Sequence, residues 1–277
     1  MENYRALATV APRLDGIFCD VDDTLTHDGA LVPAAFDAIA RATAAGLRVV
    51  AVTGRPAGWA EVFACTWPIA GAIAENGAFA VRRSGRSVAR MTWEPADACA
   101  TSHARLQAIA AELVRDVPGA RVADDQWLRR CDLAMDIGET QQLPQATVDE
   151  ICRRIRAAGA RCITSSVHAH AYFGDYDKAR MCERIARDWW QEDLAATRGD
   201  YVFVGDSPND QPCFAYFPVA AGVANVRRYL DRLAPPPGYV AEHEGGYGFA
   251  EIAGVLLDGR LAGLDRLGGG GSGGQRG

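Results

Sequence analysis

Short apolar runs recur along the chain and stop abruptly at polar clusters. Gly16-Ile17-Phe18-Cys19 runs into Asp20-Val21-Asp22-Asp23-Thr24, and Leu47–Val52 into Thr53-Gly54-Arg55-Pro56. Gly71–Ala74 ends at Glu75-Asn76-Gly77, and Tyr201–Val204 at Gly205-Asp206-Ser207-Pro208-Asn209-Asp210. Unbroken runs of this length predict buried strands, with a further one near Val219–Val223. Helical patterns lie between them: Pro33 to Ala45, with Pro in its first turn and Gly46 just past its end, about Gly58 to Cys65, and Lys178 to Trp190. His27 to Val32 reads as a turn or flap. Strand and helix alternate, which predicts a parallel sheet with helices on its faces.

The middle of the chain follows another pattern. Ala78 to Trp93 reads as a hairpin turning near Ser84-Gly85. Thr101 to Val117 is an amphipathic helix with Leu106, Ile109, Ala110, Leu113 and Val117 on one face. Strands are expected near Arg121–Ala123 and over Trp127–Ile137, then a helix from about Gln145 to Ala158, then one long strand from Arg161 to Phe173. The expected fold is therefore α/β: a Rossmann-like parallel-sheet core, residues 1–77 and 175–267, interrupted by an α+β domain over residues 78–174. Residues 268–277, rich in glycine, are expected to form a flexible tail.

Composition narrows the partners. With 277 residues, about half of them hydrophobic, the chain can bury a real core. A net charge of -6, with no concentrated Lys/Arg tract, argues against nucleic acid or an anionic membrane as the main partner. No segment approaches the roughly 18 consecutive apolar residues of a membrane span, and no secretory leader is evident, so a cytoplasmic protein is expected, monomer or homodimer. The eight cysteines are scattered without a Cys-x-x-Cys pair, which favours buried reduced thiols over disulfides or a zinc site.

The chemistry sits at the strand ends. Clustered carboxylates repel each other and are costly to bury, so Asp20, Asp22 and Asp23 need a cation, a reaction or a solvated loop to justify them. In open α/β sheets the carboxyl ends of strands are where ligands bind. Together with Thr53, Gly54, Asp206, Asp210 and Lys178, these ends hold several carboxylates, one hydroxyl, one ammonium and free backbone amides. That inventory suits magnesium-assisted phosphoryl transfer on a small phosphorylated substrate. A hard divalent cation takes carboxylate and carbonyl oxygens, and the phosphoryl oxygens need donors.

Asp20-x-Asp22-x-Thr24, Thr53-Gly54-Arg55, Lys178 and Gly205-Asp206-Ser207-x-Asn209-Asp210 resemble the four ordered motifs of the haloacid dehalogenase (HAD) superfamily of phosphatases, a resemblance spanning nearly all of residues 14 to 260. It implies that Asp20 is the nucleophile and a Mg2+ ligand. Asp22 would be the general acid and base and would offer its backbone carbonyl to the metal. Thr53, Gly54 and Lys178 would hold the phosphoryl group, Asp206 would bind the metal, and Asp210 would support the metal from outside its ligand set. The long stretch between the second and third motifs would be the specificity cap. Its order, with Glu75-Asn76-Gly77-Ala78 at entry and Gly246-Tyr247-Gly248-Phe249 near the end, looks like the Cof-like subfamily IIB, which includes sucrose-phosphate and mannosyl-phosphoglycerate phosphatases. Asp23 departs from the glycine of many members.

Substrate recognition is expected from the cap and its hinge. Alternation along Arg161–Phe173 places Thr164, Ser166, His168, His170 and Tyr172 on one face, able to look down on the leaving group, and Ile163, Ser165, Val167, Ala169, Ala171 and Phe173 on the other. On the preceding strand Arg130 would share a face with Asp132, Ala134 and Asp136 and could meet a second anionic group. Arg55, Glu75, Asn76 and Asn209 are further candidates for substrate contact. Against this stands the ordinary reading of such a face as the wet side of a one-sided sheet. Two rival functions remain open: a phosphomannomutase-like phosphotransferase, and a non-catalytic binder of a phosphorylated ligand.

Overall fold

The computed structural model describes residues 1–268, so the expected glycine-rich tail lies, beyond Gly268, outside the described residues. Its centre is a nine-stranded sheet. In spatial order the strands are Glu2–Asn3, Tyr239–Val240, Val219–Gly222, Tyr201–Gly205, Gly16–Cys19, Arg48–Val52, Gly71–Ala74, Phe79–Ser84 and Ser87–Thr92. The first seven run parallel. The acidic strand Gly16–Cys19 sits between Tyr201–Gly205 and Arg48–Val52, so the three richest strand ends emerge side by side.

These strands are fully or almost fully buried because helices cover both sides. Pro33–Ala44, Ala57–Thr66 and Gly245–Gly268 pack Ala35, Ile39, Phe63, Phe249 and Ile252 against Ile17, Val49 and Val202. On the other side Lys178–Trp190 and Gln211–Tyr216 bring Met181, Ile185 and Phe214 onto Phe18, Val50 and Phe203. This is the two-faced burial that unbroken apolar strands require.

The inserted region has its own three-stranded antiparallel sheet, ordered Arg161–Thr164, His168–Tyr172, Leu133–Asp136. Helices Ala96–Asp116 and Gln145–Ala157 cover one side of it through Leu106, Leu113, Ile151 and Ile155, packed on Leu133, Met135, Ala169 and Ala171. The α/β core with an inserted α+β cap is therefore the observed fold. The short flap is present as two paired dipeptides, Thr26–His27 and Ala30–Leu31.

Three details differ from expectation. The hairpin of residues 79–92, expected to open the inserted domain at residue 78, instead pairs antiparallel with Gly71–Ala74 and extends the main sheet. Its inner residues Phe79, Ala80 and Val81 are as buried as the central parallel strands, so pairing with the main sheet takes their apolar surface out of water. The expected long strand of residues 161–173 is a hairpin that reverses at Ser165-Ser166-Val167, where the Ser165 N–H donates to His168 O at 2.9 Å. Reversal shifts the parity: Ile163 lies opposite His170 and shares its face, while Thr164 lies opposite Ala169 on the helix-packed face. The strand expected from Trp127 begins only at Leu133, after a 3-10 turn at Gln126–Leu128, and Arg121–Ala123 contributes a single bridge from Val122 to Met135.

Candidate active site

Asp20 is the first residue past the central strand, and its N–H still donates to Val204 O at 2.9 Å, so the neighbouring strand fixes its position. The chain then turns. Asp23 has φ +56° and its N–H donates to Thr26 Oγ1 at 2.9 Å. A left-handed turn explains why glycine suits this position and why aspartate is tolerated there. Asp23 serves the turn and does not join the carboxylate cluster.

That cluster is Asp20, Asp206 and Asp210, whose oxygens lie within 4.8 Å of one another. All three are buried. Asp210 Oδ2 accepts from the N–H groups of Asp206 at 2.9 Å and Ser207 at 3.1 Å, closing the turn after Tyr201–Gly205. Lys178, first residue of its helix and itself buried, donates from Nζ to Asp20 Oδ1 at 2.6 Å and Asp210 Oδ1 at 2.7 Å. Burial, and then the neighbouring carboxylates against the pull of Lys178, raises the Asp20 carboxyl well above the usual range, and burial followed by Asp20 does the same to Asp206. The Lys178 ammonium, despite burial, is driven upward by Asp20 and Asp210 and stays charged.

Three carboxylates share one ammonium in a buried space, which is why burial and mutual repulsion push two of them upward. Among the described residues Asp206 Oδ2 has no partner, although Oδ1 accepts from Thr24 Oγ1 at 3.2 Å. An all-oxygen donor set with one orphaned buried oxygen fits a hard divalent cation. Asp210 has both oxygens engaged, as a supporting residue would.

The second strand end meets this cluster. Thr53 is buried and its Oγ1 accepts from Arg55 N–H at 3.0 Å. At Gly54 there is no room for a side chain, since a Cβ would lie 3.0 Å from His170 Nε2 and 3.2 Å from the Asn76 amide. Arg55 donates from Nε to Asp22 Oδ1 at 2.8 Å and from NH1 to Glu139 at 2.6 Å, with Asp125 at 3.4 Å. It therefore ties the residue expected to carry the proton to the cap.

From the cap, His168 and His170 point at the same space, ring against ring. Asp20, Asp22, Gly54, Ser166, His168, His170 and Asn209 line one small cavity together with Ser165 and Ser207. His170 Nδ1 bonds Asp132 at 3.1 Å, and burial first, then Arg129, keeps its imidazole well below the usual histidine range and so neutral. His168 Nε2 bonds Glu139 at 2.8 Å, and that bond, with Arg55, lowers the Glu139 carboxyl to about 2. Asn76, at φ +53°, accepts from Asn209 Nδ2 through Oδ1 at 3.0 Å, while its own Nδ2 and the Ser166 hydroxyl are buried without partners among the described residues.

Two candidates are placed elsewhere. Arg130 turns outward, 53% exposed, pairing with Glu61 at 3.2 Å and lying over the Phe79 ring, because its segment is not a strand and alternation does not apply. Its neighbour Arg129 is the buried one, reaching Gly54 O at 2.8 Å and Asp132 at 2.9 Å. Glu75 is sealed in the hinge, where its carboxyl oxygens accept from the N–H groups of Ala57, Arg130, Cys131 and Asp132 at 2.7–3.0 Å. That leaves it a structural clasp between core and cap. Glu75→Ala strands several buried amides and should cost about 3 kcal/mol or more, read as a lowered denaturant midpoint. An unchanged midpoint would mean that the clasp carries no weight. Arg129, Glu139, Asp125 and Asp132 escaped the sequence reading; the signal was available only as an arginine pair in an acidic stretch.

Residues 17–104 match the family model of haloacid dehalogenase-like hydrolases. No curated protein matches the chain significantly. Solved structures do. Thermoplasma acidophilum 0175 aligns at TM-score 0.69 with 18% identity, over 88% of this chain and 98% of that one. The sucrose-phosphatase of Synechocystis sp. PCC6803, solved with sucrose and phosphate, aligns at 0.62 with 12% identity, over 88% and 98%. The C-terminal domain of Candida albicans trehalose-6-phosphate phosphatase aligns at 0.67 with 11% identity, over 92% and 97%. Among the described residues no helix is long and apolar enough to cross a membrane. In its fold, in the region matched over residues 17–104 and in the buried carboxylate cluster at the central strand end, the chain is similar to haloacid dehalogenase-like hydrolases.

Proposed function

We propose that the protein is a Mg2+-dependent phosphomonoester hydrolase acting through an aspartyl-phosphate on a small sugar phosphate. The observation that carries this is the meeting of Asp20, Lys178 and the Asp206/Asp210 turn in one buried cluster, with Asp22 on the wall of the same cavity. Asp20, Asp206 and the backbone carbonyl of Asp22 would hold the metal, which when bound neutralises phosphoryl and carboxylate charge.

Asp20 attacks phosphorus, and the bond to the leaving oxygen breaks as Asp22 gives that oxygen its proton. Water then enters, Asp22 takes its proton, and the new P–O bond releases inorganic phosphate and restores Asp20. Lys178, the Thr53 hydroxyl and the Gly54 N–H hold the phosphoryl oxygens through both steps. Arg55 fixes Asp22 in position from the side. His168, His170, Ser166, Asn76 and Asn209 contact the leaving group. The cap's resemblance to Cof-like sugar phosphatases, and the sucrose- and trehalose-6-phosphate phosphatases among similar folds, support a carbohydrate-like substrate.

A panel of phosphorylated metabolites assayed with Mg2+ should release inorganic phosphate, fastest from sugar phosphates, and a chelator should stop it. An isomerised sugar phosphate without free phosphate would mean phosphotransfer. No turnover with any substrate or divalent metal would mean a binder.

A further inference from the structure

Beside the catalytic cavity runs a groove of about 340 Å³ that phosphoryl transfer does not use, between the Ala57–Thr66 helix and the Gln126–Leu128 turn. Trp59 and Trp127 line it, 39% and 80% exposed. Asp124, Asp125, Glu139 and Arg55 supply its polar groups. Helix and turn are close-packed at Gly58, where a Cβ would lie 2.9 Å from Leu128 Cδ2, so the wall carrying the indoles is firmly seated.

The groove and the cavity share a partition. Arg55 faces both ways, holding Asp22 of the cavity and Glu139 and Asp125 of the groove. Glu139 in turn bonds His168 of the cavity. A substrate with its phosphate at Asp20 and a body too large for the small cavity would reach the groove past this Arg55–Glu139–His168 partition.

The lining selects the body. The carboxylates and the guanidinium sum to a formal charge of about -2, which repels a second phosphate or a carboxylate. Asp125 and Glu139 are already bonded by Arg55, Arg129 and His168, so they offer hydrogen-bond acceptors more than a free charge. The exposed Trp127 indole and the Trp59 indole, one face of which lies under Arg55 at 4.9 Å, stand beside carboxylate acceptors and match a ring with an apolar C–H face and a rim of hydroxyls. A groove of this size lies at the small end of ligand sites and holds one or two such rings. Resting on the phosphatase reading above, we propose that this groove is an outer subsite for the hydroxylated ring of a glycosyl or hexose phosphate, with Trp59 and Trp127 as its platform.

The test compares kcat/KM for glucose 6-phosphate, phosphocholine and acetyl phosphate in the wild type, Trp127→Ala and, as a remote exposed control, Val114→Ala. In Trp127→Ala the ratio of glucose 6-phosphate to acetyl phosphate should fall about tenfold, through KM, because one stacked ring is lost. Val114→Ala should leave the ratio as it is. An unchanged ratio in Trp127→Ala overturns the subsite, and a larger Trp127 dependence for phosphocholine overturns its assignment to a sugar. Tryptophan fluorescence titrated with unphosphorylated trehalose reads the groove without chemistry. A Trp127-dependent quench with no turnover of any phosphate would sink the phosphatase reading and leave the subsite standing; no such quench, with turnover intact, would do the reverse.

Discussion

Asp20→Asn should lose phosphate release by at least about 10⁴-fold while remaining folded, since the proposed mechanism makes Asp20 the nucleophile. Asn is nearly isosteric, so the Asp20 N–H bond to Val204 O and the strand end survive. Lys178 keeps Asp210 as a partner at 2.7 Å. Removing one of three crowded buried carboxylates also relieves repulsion, so the metal-free variant should melt no lower than the wild type. The two readings separate the explanations. Lost activity with an unchanged or higher Tm and a smaller Tm gain on adding Mg2+ is the signature of a functional carboxylate. Activity within tenfold of the wild type would remove Asp20 from the nucleophile's role.

Legibility in the sequence followed the length scale of each signal. The parallel core was readable because Phe18, Val50 and Phe203 sit in strands buried on both faces, and such runs leave an unmistakable apolar pattern. The cluster was readable because Asp20 and Asp206 directly follow adjacent parallel strands, with Asp210 closing the turn after the second, and topology brings those ends together. Long-range choices were not. Nothing local tells the hairpin of residues 79–92 whether to join the core or the cap; that depends on its pairing with Gly71–Ala74. The break at Ser165-Ser166-Val167 hides inside an alternating pattern, yet it moved Ile163 to the site face while leaving the histidines correctly aimed. Arg129 and Arg130 are indistinguishable by type, and only the 3-10 turn before them decides which is buried. Glu75 looked like a ligand because a carboxylate at a strand end is ambiguous until its amide partners, which come from residues 57 and 130–132, are known.

Lys178→Met should damage stability and activity together, and Mg2+ should undo part of the first only. The ammonium is fully buried and, among the described residues, is the single positive group bonded to Asp20 and Asp210, at 2.6 and 2.7 Å. Met fills much of the same volume but leaves three buried carboxylates without a cation, and breaking such a buried pair from one side costs about 3–5 kcal/mol. For a chain of this size that is a fall of roughly 10 °C in Tm. A divalent cation at the orphaned Asp206 oxygen supplies charge to the same cluster, so the Mg2+-induced rise in Tm should be larger in the variant than in the wild type. Activity should stay down by about 10²–10³-fold even with saturating Mg2+, because the donor to the phosphoryl oxygens is gone. Thermal melts with and without Mg2+, beside phosphate-release rates, separate the two losses. A variant that melts like the wild type in the absence of metal would show that the cluster keeps itself neutral by protonation, and that Lys178 is held there for the substrate alone.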